Sequence, residues 1–258
     1  MERGQTMSVI YMFWVREIKR YLRSRVQLIS SLGQPLLNLL VLGFGMGPMF
    51  QRAGDGSYLQ FMAPGVIGMT ILFTSIFSGF GVLWDRQFGF LKEILVAPVP
   101  RLRIMAGRTL GGATVAVMQG LLVTVICVLA GFRPVNLAMV PLALAFMVLI
   151  AVVFAAAGVA IGSSTQDMRG LELIMNFLVM PIFFLSGALF PLTGLPRALV
   201  MAATADPLSY GIDGMRNALL GAAAAHTQFG TLIDLEVLIT VASVLLVLGA
   251  YRFSKIEA

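Results

Sequence analysis

The sequence predicts an all-α integral membrane protein with six transmembrane helices. Its 258 residues are 59% hydrophobic and 12% charged, whereas a soluble domain carries about 25% charged residues. A chain this apolar cannot cover its surface with polar groups in water, so lipid must surround most of it. The apolar residues also form runs of about 20 residues, the length of helix that crosses ~30 Å of hydrocarbon. We therefore expect a single transmembrane domain over residues 1–258.

Six apolar runs have this length, and none of them contains a lysine or an arginine. They comprise residues 28–50, 61–84, 109–131, 137–162, 171–190 and 231–251. The sixth run carries Asp234 and Glu236 near one end, so its boundary is the least sharply defined. We expect residues 1–27 to form a cytoplasmic interface helix, residues 28–251 the six-span bundle and residues 252–258 a cytoplasmic tail.

The basic residues set the expected orientation of the spans. With the N-terminus in the cytoplasm, every lysine and arginine falls in a cytoplasmic segment except Arg52, Arg133, Arg197 and Arg216. Such an excess of positive charge marks the cytoplasmic side of a membrane protein. We therefore expect both termini in the cytoplasm and the chain in the plasma (inner) membrane of a bacterium or archaeon. The same distribution explains the net charge of +6 without nucleic acid as a partner.

The segment 8–26 has a helical pattern of its own, with apolar and aromatic residues on one side and basic residues on the other. This pattern is typical of a helix that lies in the membrane interface and contacts lipid headgroups. A simple topology signal would need the charges but not the apolar side. We assign Trp14, Glu17, Arg20 and Arg23 to the interface helix.

Residues 191–230, between the fifth and sixth spans, are too interrupted to cross the bilayer. Pro191, Pro196 and Pro207 divide them into short pieces, because proline cannot continue a helix. We expect short re-entrant helices that enter the outer leaflet and return. Such a path needs protein to shield its backbone from lipid.

Glycines recur at helix-packing distance within and beside the spans. They are Gly107 and Gly111, Gly158 and Gly162, and the series Gly43, Gly45 and Gly47. Small residues at this spacing let two helices approach closely in lipid. We expect helix contacts at the two pairs, and packing or local flexibility at the series.

The sequence contains no G-x-x-x-x-G-K-[ST], H-E-x-x-H or G-x-S-x-G motif. Cys127 is the only cysteine and lies in an apolar run, and His226 is the only histidine. An active site would have to be built from carboxylates such as Asp206 and Asp213 without a partner base. We therefore expect neither an enzyme nor a cofactor or metal on this chain.

The span interiors hold neutral polar residues, Gln34, Asn38, Gln119 and Asn176, rather than ionisable ones. Ion-driven pumps usually need ionisable groups at membrane depth, because charge must be carried there. The chain could bind or pass an amphipathic molecule. Energy for uphill transport would then come from a partner protein.

A charged segment, DRQFGFLKEILVAPVPR at 85–101, separates the second span from the third. Phe88, Leu91 and Leu95 share one helical face, and the prolines at 98 and 100 end the helix. The pattern predicts a short amphipathic helix on the cytoplasmic face. It could lie against lipid, but we favour insertion into a groove on a cytoplasmic protein.

The sequence resembles the ABC-2 type permeases at four places: FLKEILVAPVPR (90–101), YLQFMAPGVIGMTILF (58–73), FLSGALFPLTGLPRAL (184–199) and DPLSYGIDGMR (206–216). These permeases are the membrane subunits of ATP-binding-cassette exporters, including the daunorubicin-resistance and nodulation-factor exporter permeases. The resemblance extends over nearly the whole chain.

The resemblance implies that the work is divided between subunits. Two such permeases pair, here as a homodimer, and each rests on a separate ATPase subunit that binds ATP and Mg. The interface helix contacts the ATPase, and the loop after the second span forms a coupling helix that docks in it. On this chain the coupling residues are Phe90, Leu91, Lys92, Glu93, Ile94 and Leu95, and residues 163–170 make a lesser contact.

The expected function is therefore outward transport of an amphipathic, lipid-linked or drug-like substrate. A self-contained channel or secondary carrier is the main alternative, and a membrane anchor or assembly factor is another. No residue distinguishes drugs from lipids, lipo-oligosaccharides or polysaccharides as the substrate.

Overall fold

The structure of the protein is a computed structural model that describes residues 2–52, 57–88, 101–165, 167–192, 195–221 and 227–254. The α-helices are α1 (Glu2–Arg23), α2 (Arg25–Arg52), α3 (Tyr58–Phe77), α4 (Phe80–Gln87), α5 (Arg101–Leu129), α6 (Val140–Ser164), α7 (Met168–Leu185), α8 (Arg197–Ala205), α9 (Pro207–Leu220) and α10 (Thr231–Ser254). A short 3₁₀ helix, Leu137–Met139, precedes α6. Every regular element in the described ranges is helical, which confirms the all-α class for them.

Among the described residues, five segments are long and apolar enough to cross a membrane. They are Tyr58–Asp85, Leu102–Leu129, Leu137–Ser164, Met168–Leu185 and Thr231–Tyr251, and they correspond to the second to sixth predicted spans. The first predicted span, 28–50, lies inside α2, which contains Pro35 and Pro48 and is not one of the five. That α2 crosses the membrane stays a prediction.

The fifth span is shorter than the predicted range 171–190, because α7 ends at Leu185. The Ser186 hydroxyl donates to a carbonyl oxygen of the last turn, and Gly187 has a φ of 70°. Glycine adopts such a positive φ far more readily than other residues. The chain therefore leaves the helix here, and Ala188 packs into the core instead.

Glycines allow the backbones of α3, α4 and α6 to touch. A Cβ atom on Gly158 would overlap the carbonyl group of Ile76, and one on Gly162 would overlap the carbonyl group of Gly79. Gly79 lies between α3 and α4 and faces Gly158 in turn. The pair Gly158 and Gly162 is thus a helix contact, as its spacing predicts.

Replacing Gly158 by alanine is expected to lower the free energy of unfolding by about 1–3 kcal/mol, because the added methyl group would have to displace backbone. Gly170→Ala is the matched control, since a Cβ there would meet only contacts of 3.7 Å or longer. Thermal unfolding of both variants in one detergent measures the difference. Equal midpoints would contradict the helix contact.

Helix α1 packs along α5 at the second glycine pair. A Cβ on Gly107 would lie 2.8 Å from the Cβ of Phe13, and one on Gly111 would lie 2.7 Å from the Cβ of Glu17.

The glycine series of α2 behaves differently. Within the described residues, no atom apart from the adjacent backbone of α2 itself lies within 4 Å of a Cβ built on Gly43, Gly45 or Gly47. The structure therefore shows no packing role for that series.

Two short helices, α8 and α9, follow the fifth span. Helix α9 packs against α3, α6 and α10, and most of its residues are buried. It begins at Pro207, because the Asp206 carboxylate accepts a hydrogen bond from the Leu208 N–H at 2.9 Å and proline has no N–H to satisfy. That α8 and α9 dip into the outer leaflet stays a prediction.

Candidate functional site

Charged side chains gather where α1 meets α4 and α5. One terminal nitrogen of Arg16 donates to both carboxylate oxygens of Asp85, at 2.8 and 3.0 Å. Arg108 donates to the same carboxylate. Asp85 and Arg108 are 5% and 3% exposed, so the carboxylate is shared between a buried guanidinium and a more exposed one. We call Arg16, Asp85 and Arg108 the α1 ion cluster.

A second ion pair lies one turn further along α1. Arg20 donates to Glu17 at 2.6 Å, and Glu17 is buried. The Trp14 indole N–H donates to the Thr114 hydroxyl of α5 at 2.9 Å. Of the predicted interface residues, Trp14 and Glu17 therefore contact α5, Arg20 pairs with Glu17, and Arg23 is exposed. Contact of α1 with lipid headgroups stays a prediction.

The α1 ion cluster joins both flanks of the segment 89–100. Asp85 lies near the end of α4, the last described helix before that segment, and Arg108 lies near the start of α5, the first helix after it. Both helices are thereby held to α1. The predicted coupling residues, Phe90, Leu91, Lys92, Glu93, Ile94 and Leu95, lie outside the described residues.

Sequence reasoning missed the roles of Asp85 and Arg108. It treats Asp85 only as the first residue of a charged segment and Arg108 only as a topology signal. A signal was present, because these two charges are the closest to the ends of the second and third spans. A charge so near hydrocarbon favours an opposite charge. The residue of α1 that pairs with Asp85 could not be identified from the sequence, because α1 carries several basic residues at similar spacing.

A cavity of about 290 Å³ lies beside the Glu17–Arg20 pair, where α1, α2, α3 and α5 meet. Its wall includes Gln34 and Gln119, two of the neutral polar residues that the sequence places inside spans. The Thr74 hydroxyl donates to the Gln119 side-chain oxygen at 2.7 Å. The cavity thus presents hydrogen-bonding groups at the α1 end of the bundle.

A buried arginine occupies the opposite end of the bundle. Arg216 of α9 is 4% exposed, and its guanidinium lies 4.1 Å from the centre of the Phe61 ring. It donates to the carbonyl oxygens of Gly187, at 2.9 Å, and of Phe61, at 3.4 Å. Burial lowers the pKa of Arg216 to about 10, and the Asp213 carboxylate opposes that shift. The guanidinium therefore stays charged near neutral pH.

Aspartates fix the chain around α9. Asp213 accepts hydrogen bonds from the backbone N–H groups of Gln228 and Phe229 at 3.0 Å, which ties α9 to the segment before α10. Asp206 starts α9, and burial raises its pKa to about 7 against the effect of its hydrogen bonds. Asp234 in α10 is fully buried, and its carboxylate accepts no hydrogen bond from the described residues. The sequence presents Asp206 and Asp213 only as carboxylates without a partner base, whereas here Asp206 caps the start of α9 and Asp213 holds the segment before α10.

Known proteins match the chain over most of its length. The sequence profile of one family, described as ABC-2 type transporter, matches residues 8–220. The inner membrane transport permease YadH of Escherichia coli (strain K12) is 31% identical over 227 residues, 85% of this chain and 87% of that protein. Nodulation protein J of Rhizobium leguminosarum bv. trifolii is 29% identical over 75% of this chain and 74% of its own length. The putative transport permease ycf38 of Cyanophora paradoxa is 28% identical over 84% of this chain and 78% of its own length.

The matched range begins inside α1 and ends at the last residue of α9. It therefore contains the whole α1 ion cluster, the cavity beside it and the buried Arg216. The profile match and the similarity to YadH confirm the resemblance carried by the sequence motifs. The chain belongs to the ABC-2 type transporter family and is a membrane permease of that family.

Proposed function

We propose that the chain is the transmembrane subunit of an ATP-driven ABC exporter that is energised by a separate ATPase subunit. The α1 ion cluster is the observation that carries this proposal, because it holds α1 to both flanks of the segment 89–100. The family resemblance makes that segment the coupling helix. A displacement of it would then move α1, α4 and α5 together.

The proposed assembly contains two copies of this permease and two ATPase subunits. ATP and Mg bind to the ATPases, since this chain has no phosphate-binding loop. The six coupling residues dock in a cleft of the ATPase, and α1 lies over the same partner. In this proposal the α1 end and both termini face the cytoplasm, and the membrane is the plasma (inner) membrane.

ATP binding closes the ATPases on each other and shifts the docked segments. Because Asp85 and Arg108 hold the flanking helices to α1, the shift reaches the walls of the cavity between α1, α2, α3 and α5. ATP acts only through its different affinity for the two arrangements. The change releases an amphipathic, lipid-linked or drug-like substrate outward.

The polar residues in and near the cavity between α1, α2, α3 and α5 suit a transport pathway that is driven by a partner protein. Gln119 bonds to Thr74, and the Asn38 amide nitrogen lies 3.2 Å from the Met69 sulfur. These neutral groups can bind the polar part of a substrate. They cannot take up or release charge as an ion-coupled carrier requires.

Leu91→Asp combined with Ile94→Asp tests the docking of the coupling segment. The double variant is expected to lose assembly with the ATPase and ATP-driven transport, because carboxylates in an apolar groove would be desolvated without partners. Co-purification with the ATPase and uptake into inverted vesicles measure the two effects. Leu137→Asp is the matched control, since Leu137 is an exposed apolar residue at the opposite end of the bundle. Survival of both assembly and transport in the double variant would refute the docking.

The same reconstitution separates the rival classes. A self-contained channel or secondary carrier predicts substrate flux in liposomes that hold this chain alone. A membrane anchor or assembly factor predicts a complex whose ATP hydrolysis does not respond to substrate. The proposed exporter predicts flux only with the ATPase and ATP present.

A further inference from the structure

The cavity beside α1 has the position and size of a ligand site. Its volume of about 290 Å³ is close to the ~300 Å³ at which small-molecule sites begin. Its wall combines α1 with three helices of the bundle, α2, α3 and α5. A molecule bound here would touch α1 and the bundle at once.

The polar part of the wall consists of neutral hydrogen-bonding groups. The Gln119 side-chain oxygen accepts from Thr74, and within the described residues no acceptor is bonded to the Gln119 amide nitrogen. The Thr70 hydroxyl donates to the Val66 carbonyl oxygen at 2.8 Å, so its oxygen is left to accept. Ser78 also lines the cavity, but its hydroxyl oxygen is buried in the wall and bonds to no described residue. The wall therefore offers both donors and acceptors to a ligand.

The charged part of the wall is already neutralised. Glu17 and Arg20 line the cavity and bond to each other at 2.6 Å. An anionic ligand would have to compete with Glu17 for Arg20, and a cationic ligand would have to compete with Arg20 for Glu17. An uncharged ligand can hydrogen-bond to the wall without breaking this pair.

The remaining wall is apolar and aromatic. Met69, Phe73 and Phe77 of α3 lie along the cavity, with Pro35 of α2 on another side. The Phe73 and Phe77 rings are in contact, with centroids 6.0 Å apart. This surface suits a hydrocarbon chain next to the polar groups.

We infer that the cavity between α1, α2, α3 and α5 binds a membrane amphiphile whose head is uncharged and rich in hydroxyl or amide groups. Such a head can bond to Gln119 and Thr70, and its chain lies against Phe73 and Phe77. The ligand is either a resident lipid or a transported molecule, since both share this chemistry. The inference concerns binding to this chain and does not depend on the ATPase.

Three amphiphiles with the same dodecyl chain test the choice of head. They are dodecyl maltoside, with an uncharged sugar head, dodecylphosphocholine, which is zwitterionic, and dodecyl phosphate, which is anionic. Native mass spectrometry of the full chain, kept in an oligo-ethylene glycol detergent, counts the molecules of each that stay bound. We expect one dodecyl maltoside per chain, bound about tenfold more tightly than either charged-head probe, as one or two additional hydrogen bonds would give.

Thr74→Val combined with Gln119→Leu removes the central hydrogen-bonding groups while keeping the side-chain sizes similar. We expect this double variant to bind dodecyl maltoside no better than dodecylphosphocholine. Thr124→Val is the matched control, because Thr124 also lies on α5 but bonds to its own helix at the Gly120 carbonyl oxygen. If circular dichroism shows the double variant to be unfolded, Val115→Phe, which fills the cavity and keeps its polar groups, takes its place.

Equal binding of the three probes, or unchanged dodecyl maltoside binding in the double variant and in Val115→Phe, would overturn the inference. Preference for dodecyl phosphate would also overturn it, since that result would assign the site to an anion at Arg20. ATP hydrolysis by the complex with the ATPase distinguishes a transported ligand from a resident lipid. Dodecyl maltoside that stimulates ATP hydrolysis in the wild type but not in the double variant marks a transported ligand, and binding without stimulation marks a resident lipid. Either result supports the site, and the binding measurement stands apart from the proposed exporter function.

Discussion

Asp85→Ala is expected to lower the free energy of unfolding by about 3–5 kcal/mol, because it removes one partner of a buried ion pair. Arg108 is 3% exposed and would keep its charge in the interior without the carboxylate that it pairs with. Arg16 adds little to the loss, since its side chain is 43% exposed and exposed ion pairs contribute less than about 1 kcal/mol. Titration with dodecyl sulfate, followed by circular dichroism, measures the change.

The same substitution is expected to loosen α1 from the bundle. Without Asp85, the guanidinium groups of Arg16 and Arg108 face each other with like charge. Tryptic cleavage within α1 should therefore become faster, which gel analysis of the fragments would show. Arg23→Lys is the control, because Arg23 is exposed on the same helix, lysine keeps the tryptic site, and the change should alter the unfolding free energy by less than about 0.5 kcal/mol. An Asp85→Ala protein with control-like stability and cleavage would contradict the structural role of the cluster.

A double variant, Asp85→Leu with Arg108→Met, separates stability from coupling. Replacing both members of a buried ion pair by apolar residues is often neutral or stabilising, so this variant should unfold near the wild-type midpoint. It should still lose ATP-driven transport by about 2- to 30-fold, the range expected when a coupling contact is removed. A stable double variant that transports normally would contradict the coupling role and leave the structural role in place.

The lengths of the spans could be predicted from the sequence, because the hydrocarbon core of the bilayer imposes one strict condition. A segment that crosses it must satisfy its own backbone hydrogen bonds, which selects apolar helices of sufficient length. Helix ends outside hydrocarbon do not obey this condition. The third predicted span starts at residue 109, whereas α5 starts at Arg101, and the sixth ends at residue 251, whereas α10 runs to Ser254. In both places the helix continues through charged residues, which the definition of a span as an apolar run excludes.

The sequence did not predict in the same way which part of the protein, or lipid, covers each helix face. The periodicity of α1 predicts a face that contacts lipid, but Phe13 and Trp14 of that face lie on α5. Lipid and protein interiors are similarly apolar, so an amphipathic pattern does not say which of them covers a helix. The glycine pair on α5 was the better signal, because a gap without side chains implies that something fills it. The ion pairs were even harder to predict from the sequence, because Arg16 and Asp85 are 69 residues apart.

Arg216 illustrates the same difficulty at the other end of the bundle. The positive-inside count treats it as one of four basic residues outside the cytoplasm, yet it is buried among α3, α9 and the turn after α7. Asp213 and Arg216 are three residues apart in a helix that starts at an Asp-Pro pair. Neighbouring opposite charges at that spacing usually mark an exposed helix face. Gly211 and Gly214, which lie against Ile150 and Phe146, were the available sign that this helix is enclosed.

Arg216→Ala is expected to lower the free energy of unfolding by about 3–5 kcal/mol, because two buried carbonyl groups would lose a charged donor and the guanidinium would leave a cavity over Phe61. Arg216→Lys should fall between the wild type and Arg216→Ala, since lysine keeps the charge but cannot stack on the ring and reach both carbonyl groups with one planar head. Arg197→Ala is the matched control at the same end, because Arg197 is exposed. Dodecyl sulfate titration of the three variants tests the order. Equal stability of Arg216→Ala and Arg197→Ala would show that the guanidinium does not hold the turn at Gly187 to α3, and wild-type stability of Arg216→Lys would show that charge alone is sufficient.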